Sequence, residues 1–321
     1  MEKYDLSIPF GVEKVIHIRQ EDFELERSLL PRQSIQGALK TAAGVKRCHL
    51  EYKEQRAYGA YGSIRMVNRS DSSGNIQCCV KIPHNPMYSL CPEAIVQWIA
   101  GTMLQREGII GAVPSVFDIF QYAGETRFSM EYIHGVPALQ KILDAANPTK
   151  VFIQVLAQVS LLLAFLERYM YLDHRDLNIN NLWIRDTPVA YTLHVDGTVW
   201  HLEAPFQVVI LDFGFSCIGG EGGNAVVSLS DGILPRVDPC PKDGRDLFQL
   251  ISSLLYVPQI HNLLDTSVTS DMERLLSMKP LRPRWIYLLV SDSKFRNHLL
   301  NPASLLETLH LKYDGVGVSK G

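Results

Sequence analysis

Apolar residues between Thr149 and Tyr169 recur at helical spacing: Val151, Val155, Leu156, Val159, Leu162, Leu163 and Leu166. Positions three and four apart share one helix face, so the pattern predicts a long core helix. Elsewhere the runs are short and bounded by turn residues. Val113 to Tyr122 and Thr126 to Tyr132 read as a hairpin turning at Ala123-Gly124-Glu125. Ile76 to Ile82, Leu182 to Ile184 and Phe206 to Leu211 read as strands. Alternation from Val189 to Leu202 around Asp196-Gly197 predicts another hairpin, inserted at about 187–205. Pro92-Glu93 opens a helix reaching about Gln105, proline being tolerated at the first helical position. Further helices are expected over Asp246–Tyr256, near Val268–Met278 and over Pro302–Leu311, with a strand at Val12–Ile18 and a short helix at Ser34–Ala43.

A chain of 321 residues can build two sizeable cores. It is 46% apolar and 20% charged, the balance of a soluble globular protein. A net charge of −3 gives no reason to expect nucleic acid or a membrane surface as partner. The first residues lack the apolar core of a signal peptide. Gln154, Gln158 and Ser160 interrupt the apolar stretch Val151–Leu166 and Glu167 follows it, so it reads as too short and too polar to span a bilayer. The six cysteines, Cys48, Cys78, Cys79, Cys91, Cys217 and Cys240, include no C-x-x-C pair. Reduced thiols and a cytoplasmic, reducing location are therefore expected. His194 and His201 in the inserted hairpin read as surface residues, not metal ligands.

The chemistry concentrates in two segments. Tyr171–Asn181 reads YLDHRDLNINN, setting His174, Arg175 and Asp176 side by side with Asn181 five residues after the Asp. Leu211-Asp212-Phe213-Gly214 follows an apolar run. Together they match H-R-D-L-x-x-x-N and D-F-G, and the chain thereby resembles the eukaryotic-type protein kinase superfamily, in a divergent form similar to those of viral or atypical branches. The resemblance covers about residues 54 to 260. It implies an α+β, bilobal protein-kinase-like fold: a small β-rich N-lobe with one main helix (51–132) and a mostly helical, reduced C-lobe (133–321). Residues 1–50 match no kinase element and are expected to pack on the small lobe.

The resemblance also implies roles. Asp176 would receive or orient the proton of an acceptor hydroxyl, and Asn181 and Asp212 would hold Mg²⁺ on ATP. Ala57-Tyr58-Gly59-Ala60-Tyr61-Gly62-Ser63-Ile64 resembles the glycine loop, with Gly59, Gly62 and Ile64 in its later positions and Ala57 in place of the first glycine. Lys81, at the end of Val80-Lys81-Ile82, is the expected ligand of the α/β-phosphates, with Cys79 above the adenine. Glu93 is its expected partner, and Glu107 the substitute. Ser129 to Gly135 resembles the hinge, placing Met130, Glu131 and Ile133 at the adenine edge. Trp183 either floors the adenine or faces the lobe core. Asp246 is expected to hold the catalytic-loop backbone, with Asp243 second. Ser216, Ser228 and Ser230 lie in the glycine-rich activation segment, where a phosphate on any of them could meet Arg175.

Two departures matter. Asn178 stands where serine/threonine kinases carry a lysine that touches the transferring phosphate, and no A-P-E follows the activation segment. The expected activity is an ATP- and Mg²⁺-dependent serine/threonine protein kinase acting on a protein substrate. A kinase-fold enzyme acting on a small molecule and a nucleotide-binding pseudokinase scaffold are the alternatives.

Overall fold

A computed structural model describes residues 13–16, 45–58, 62–71, 74–85, 89–122, 125–219, 225–229, 240, 242, 244–276, 300–313 and 317–321. The helix expected at 34–43, and Gly59, Tyr61, Ser230 and Asp243, lie outside these. The chain is mixed α+β and divides into two compact units, residues 1–102 with 114–133 and residues 103–113 with 134–321.

The first unit is rich in strands. β1 (Glu13–Ile16), β2 (Val45–Tyr58), β3 (Gly62–Asp71), β4 (Gly74–Pro83), β5 (Val116–Tyr122) and β6 (Glu125–Glu131) form a closed barrel in the order β1-β2-β3-β4-β6-β5. Closure depends on β1, which pairs antiparallel with β2 over four residues and with β5 through Ile16 and Ile119. Closing a sheet removes the unpaired backbone groups of its edges. Inside, Val67, Cys78, Val80 and Phe120 are fully buried, with Ile82 and Phe117 packed against them. A polar cluster shares this interior. Arg69 donates from Nε and Nη2 to the two carboxylate oxygens of Asp118 at 2.6 and 2.8 Å, and Ser129 Oγ also donates to Asp118. A bidentate Arg–carboxylate pair supplies direction as well as attraction, tying β3, β5 and β6 together. Helix α1 (Cys91–Arg106) buries Ala94, Ile95, Val96, Ile99 and Ala100 completely, so it is apolar on nearly every side.

The second unit is organised on α3 (Pro148–Met170), preceded by the two-residue strand β7 (Val136–Pro137) and by α2 (Ala138–Leu143). Asn147 caps α3 by accepting from the Lys150 N–H, Pro148 occupies its first turn, and Tyr171 ends it in the left-handed region at φ 52°. Its 23 residues exceed the stretch expected from sequence and are long and apolar enough to cross a bilayer; 89% of the most apolar window is buried inside the protein, as in a core helix. Gln158, polar and fully buried in this helix, donates to the Phe206 carbonyl at 3.0 Å and accepts from the Val208 N–H at 2.9 Å. It thereby docks β12 (Gln207–Ile210), which pairs with β9 (Leu182–Arg185), which in turn pairs with β7.

β10 (Val189–Val195) and β11 (Thr198–Ala204) form a hairpin around Asp196-Gly197, and β15 (Val318–Lys320) adds a third strand. β8 (Leu172–Asp173), β13 (Cys217–Gly219) and β14 (Ala225–Ser228) make another small sheet. α4 (Arg245–Leu255) is buried along its whole length. Gly244 precedes it at φ 75°, and a Cβ there would meet the Leu300 backbone at 2.3 Å, so both conformation and space require glycine. α5 (Pro258–Leu263), α6 (Thr266–Leu276) and α7 (Pro302–Lys312) complete the described helices of this unit.

The expectation that all cysteines are reduced is corrected here. Cys217 on β13 and Cys240 are joined by a disulfide, with Cα atoms 6.4 Å apart. Their 23-residue separation carries no signal of pairing; the fold supplies it. Cys78, Cys79 and Cys91 are buried and form no disulfide.

Candidate active site

The segment Tyr171–Asn181 folds into a loop tethered from behind. Asp246, in the first turn of α4, is 1% exposed and accepts from the backbone N–H groups of His174 (2.7 Å) and Arg175 (2.8 Å). Burial, reinforced by the nearby charge of Asp173, pushes its carboxyl well above the ordinary range, while the two N–H donors oppose that shift. The backbone bends sharply along this path. Tyr171, Arg175 and Asp212 all have φ between 52 and 65°, a region costly for residues with a Cβ. His174 Nε2 lies 2.9 Å from the Leu211 carbonyl, so this nitrogen carries the hydrogen and donates it. The ring also packs on Phe213, with centroids 5.0 Å apart. Its complete burial lowers its pKa and favours the neutral ring.

Asp176 is held by two amides. Asn178 Nδ2 donates to the Asp176 carbonyl at 3.0 Å and to Oδ1 at 3.2 Å. Asn181 Nδ2 donates to the same carbonyl at 2.8 Å and to Oδ2 at 3.2 Å. Asn181 ends a 3₁₀ turn (Ile179–Asn181) just before β9. The β9–β12 ladder, ending at Leu182 opposite Ile210, is extended by the Leu211 N–H donating to the Asn181 carbonyl at 2.9 Å. Asp212 is the next residue after Leu211. Asp212 is exposed, and its Oδ1 accepts from the Gly214 N–H at 3.3 Å.

A group of charges lies beneath the loop. Asp173 is 2% exposed and faces Arg245 Nε at 3.4 Å, Arg175 Nε at 3.7 Å and the Lys242 N–H at 3.3 Å. Glu167 accepts from the Gly244 N–H at 3.2 Å. Arg175 also donates from Nη1 to Ser228 Oγ at 3.0 Å. Of the serines weighed for modification, Ser216 is fully buried with its hydroxyl on the His174 carbonyl, whereas Ser228 is half-buried against Arg175.

In the first unit, Lys81 Nζ donates to Glu93 Oε1 at 2.5 Å, with side chains 9% and 5% exposed. Glu93 sits in the first turn of α1; Glu107 lies exposed beyond the end of that helix. β3 pairs with β4 so that Ile64 faces Lys81, Met66 faces Cys79 and Gly62 faces Pro83. A Cβ on Gly62 would meet the Ile82 carbonyl oxygen at 2.6 Å, so this glycine is required by strand packing whatever else it does. Met130 pairs with Cys79, and Gln97 Nε2 approaches its sulfur at 3.7 Å. The Glu131 N–H donates to the Ser115 carbonyl at 2.8 Å. Ile133 is buried at the end of the unit. In the second unit, Trp183 is half-buried on the face of β9 opposite Leu182 and Ile184, which fill the core. The core-facing alternative for Trp183 is thereby set aside.

Among the described residues, no group of three or more His, Cys, Asp or Glu side chains forms a metal cage. Asn181 and Asp212 instead offer hard oxygens, one neutral and one charged. That set suits Mg²⁺, which keeps waters and substrate phosphates as its other ligands.

Sequence reasoning missed Asp173 and Arg245, Gln158, the Arg69–Asp118–Ser129 cluster and the Cys217–Cys240 bond. Only Asp173 left a local trace, an acid directly before His174 in an otherwise apolar approach. No family model matches the chain, and no curated protein matches it.

Proposed function

We propose that the chain is an ATP- and Mg²⁺-dependent phosphotransferase of the protein-kinase type, moving the γ-phosphate of ATP to a serine or threonine hydroxyl of a protein. The observation that carries this reading is the clamp on Asp176 beside the Leu211–Asn181 backbone bond. One short loop thus holds an oriented carboxylate and Asn181, and Asp212 directly follows Leu211, whose N–H is bonded to the Asn181 carbonyl. Phosphoryl transfer needs positioning and charge neutralisation more than covalent help.

Asp176 takes the proton of the acceptor hydroxyl as its oxygen bonds to phosphorus, and the bond to the ADP oxygen breaks. Mg²⁺, held by Asn181 and Asp212, would neutralise the phosphate charge. Lys81, fixed by Glu93, meets the α/β-phosphates. Met130, Glu131, Ile133 and Cys79 supply the adenine surround. The missing A-P-E bears on the acceptor, and Asn178 leaves the transferring phosphate without the lysine charge of that position.

The test is transfer of radiolabelled phosphate from ATP to generic proteins and, in parallel, to small hydroxyl compounds. Label in protein serine or threonine supports the reading. Label only in small molecules moves the acceptor to that class. Mg²⁺-dependent ATP binding with no label anywhere leaves a binding scaffold.

A further inference from the structure

The residue two places after Asp176 is the clearest departure from the family pattern, and its geometry gives it a different task. Asn178 is 7% exposed, and its neighbours Leu177 and Ile179 are buried in the core. Its backbone is extended, at φ −128° and ψ 170°. Anchored on both sides, the short side chain has little rotational freedom. Its Oδ1 accepts from the Asn180 N–H at 3.0 Å, capping the 3₁₀ turn. That bond orients the amide plane and turns Nδ2 onto Asp176, where it reaches the carbonyl and Oδ1 together. Asn181 approaches from the other side and takes the same carbonyl and Oδ2. Each carboxylate oxygen therefore has its own amide donor, and the two donors together define the plane of the carboxylate. Removing either takes away one of these two donors.

Resting on the phosphotransfer reading, we infer that Asn178 is a positioning residue, fixing the carboxylate of Asp176 for the acceptor hydroxyl and leaving ATP to other groups. A neutral amide does this without placing a cation beside the carboxylate. A carboxylate oxygen accepts more than one hydrogen bond, so the clamp is compatible with receiving a proton.

Two roles of Asn178 must be separated, turn capping and orientation of Asp176. Asn178→Asp retains an oxygen able to cap the turn, because Asp caps as well as Asn. It removes the Nδ2 donor and sets a like charge against Asp176. Asn178→Ala removes both functions. The expected result is that kcat falls about 10²-fold in both variants, the scale of loss from a small misplacement of a reacting group. KM for ATP stays within about twofold of wild type in Asn178→Asp, which keeps the turn that carries Asn181 capped. Asn178→Asp turning over like wild type would overturn the inference. A crystal structure of Asn178→Asp provides a readout independent of turnover, should wild type transfer no phosphate. Asp176 rotated out of its wild-type orientation supports the inference; Asp176 unmoved overturns it.

Discussion

Lys81 and Glu93, twelve residues apart in sequence, form a buried ion pair with Nζ and Oε1 2.5 Å apart. Removing one partner strands a charge in the interior, which costs about 3–5 kcal/mol. Glu93→Ala is expected to lower the unfolding free energy in urea by that amount. The double variant Lys81→Met, Glu93→Leu is expected to recover most of the stability and none of the phosphate transfer. Recovery of both would remove the pair from the chemistry.

Asp246 offers a second test. Its carboxylate receives the N–H groups of His174 and Arg175, so Asp246→Ala leaves two buried donors unpaired. Each costs about 1–3 kcal/mol. Asp246→Asn keeps one acceptor oxygen and is expected to fall between Ala and wild type in thermal melts. An alanine variant as stable as wild type would contradict the tether.

The His174 ring gives a pH signature. Burial lowers its pKa below the 6.5 of a free imidazole, so the unfolded chain takes up a proton that the folded chain refuses. Its stabilising contribution is complete above pH 6.5 and is lost as pH falls below that value. The stability difference between wild type and His174→Asn should therefore shrink as the pH falls below 6.5, in urea titrations from pH 7.5 to 5.0. A difference that stays constant over that range would show that the ring is not held neutral.

The Cys217–Cys240 bond closes a loop of 23 residues' separation. Peptide mapping without reductant is expected to yield one linked pair joining these two cysteines. Cys240→Ser should cost roughly 3 kcal/mol relative to the oxidised protein, and nothing relative to protein held in reductant.

What could be read from the sequence was what is local in it. His174, Asp176 and Asn181 occupy one stretch of eight residues, and the hairpin about Asp196-Gly197 announces itself by alternation and turn chemistry. Lys81 and Glu93 were assigned to each other by order along the chain, and the structure brings them into contact. The missed features join distant residues. Arg69 reaches Asp118 across 49 positions, Gln158 spans 50 to Val208, and Glu167 spans 77 to Gly244. A buried glutamine in a helix, or an arginine in a strand, looks like any surface polar residue until folding supplies its partner. The barrel was hidden for the same reason, since β1 must meet β5 about a hundred residues later.

In the proposed phosphotransfer reaction, Asp176 is the residue on which transfer turns. Its test is the rate of labelled phosphate transfer from ATP to protein by wild type and by Asp176→Asn, both with Mg²⁺ and both shown to bind ATP equally. Wild type is expected to transfer, and the variant to be slower by about 10²-fold or more, the contribution of a positioned base. Equal rates, or no transfer by wild type to any protein acceptor, would contradict the account.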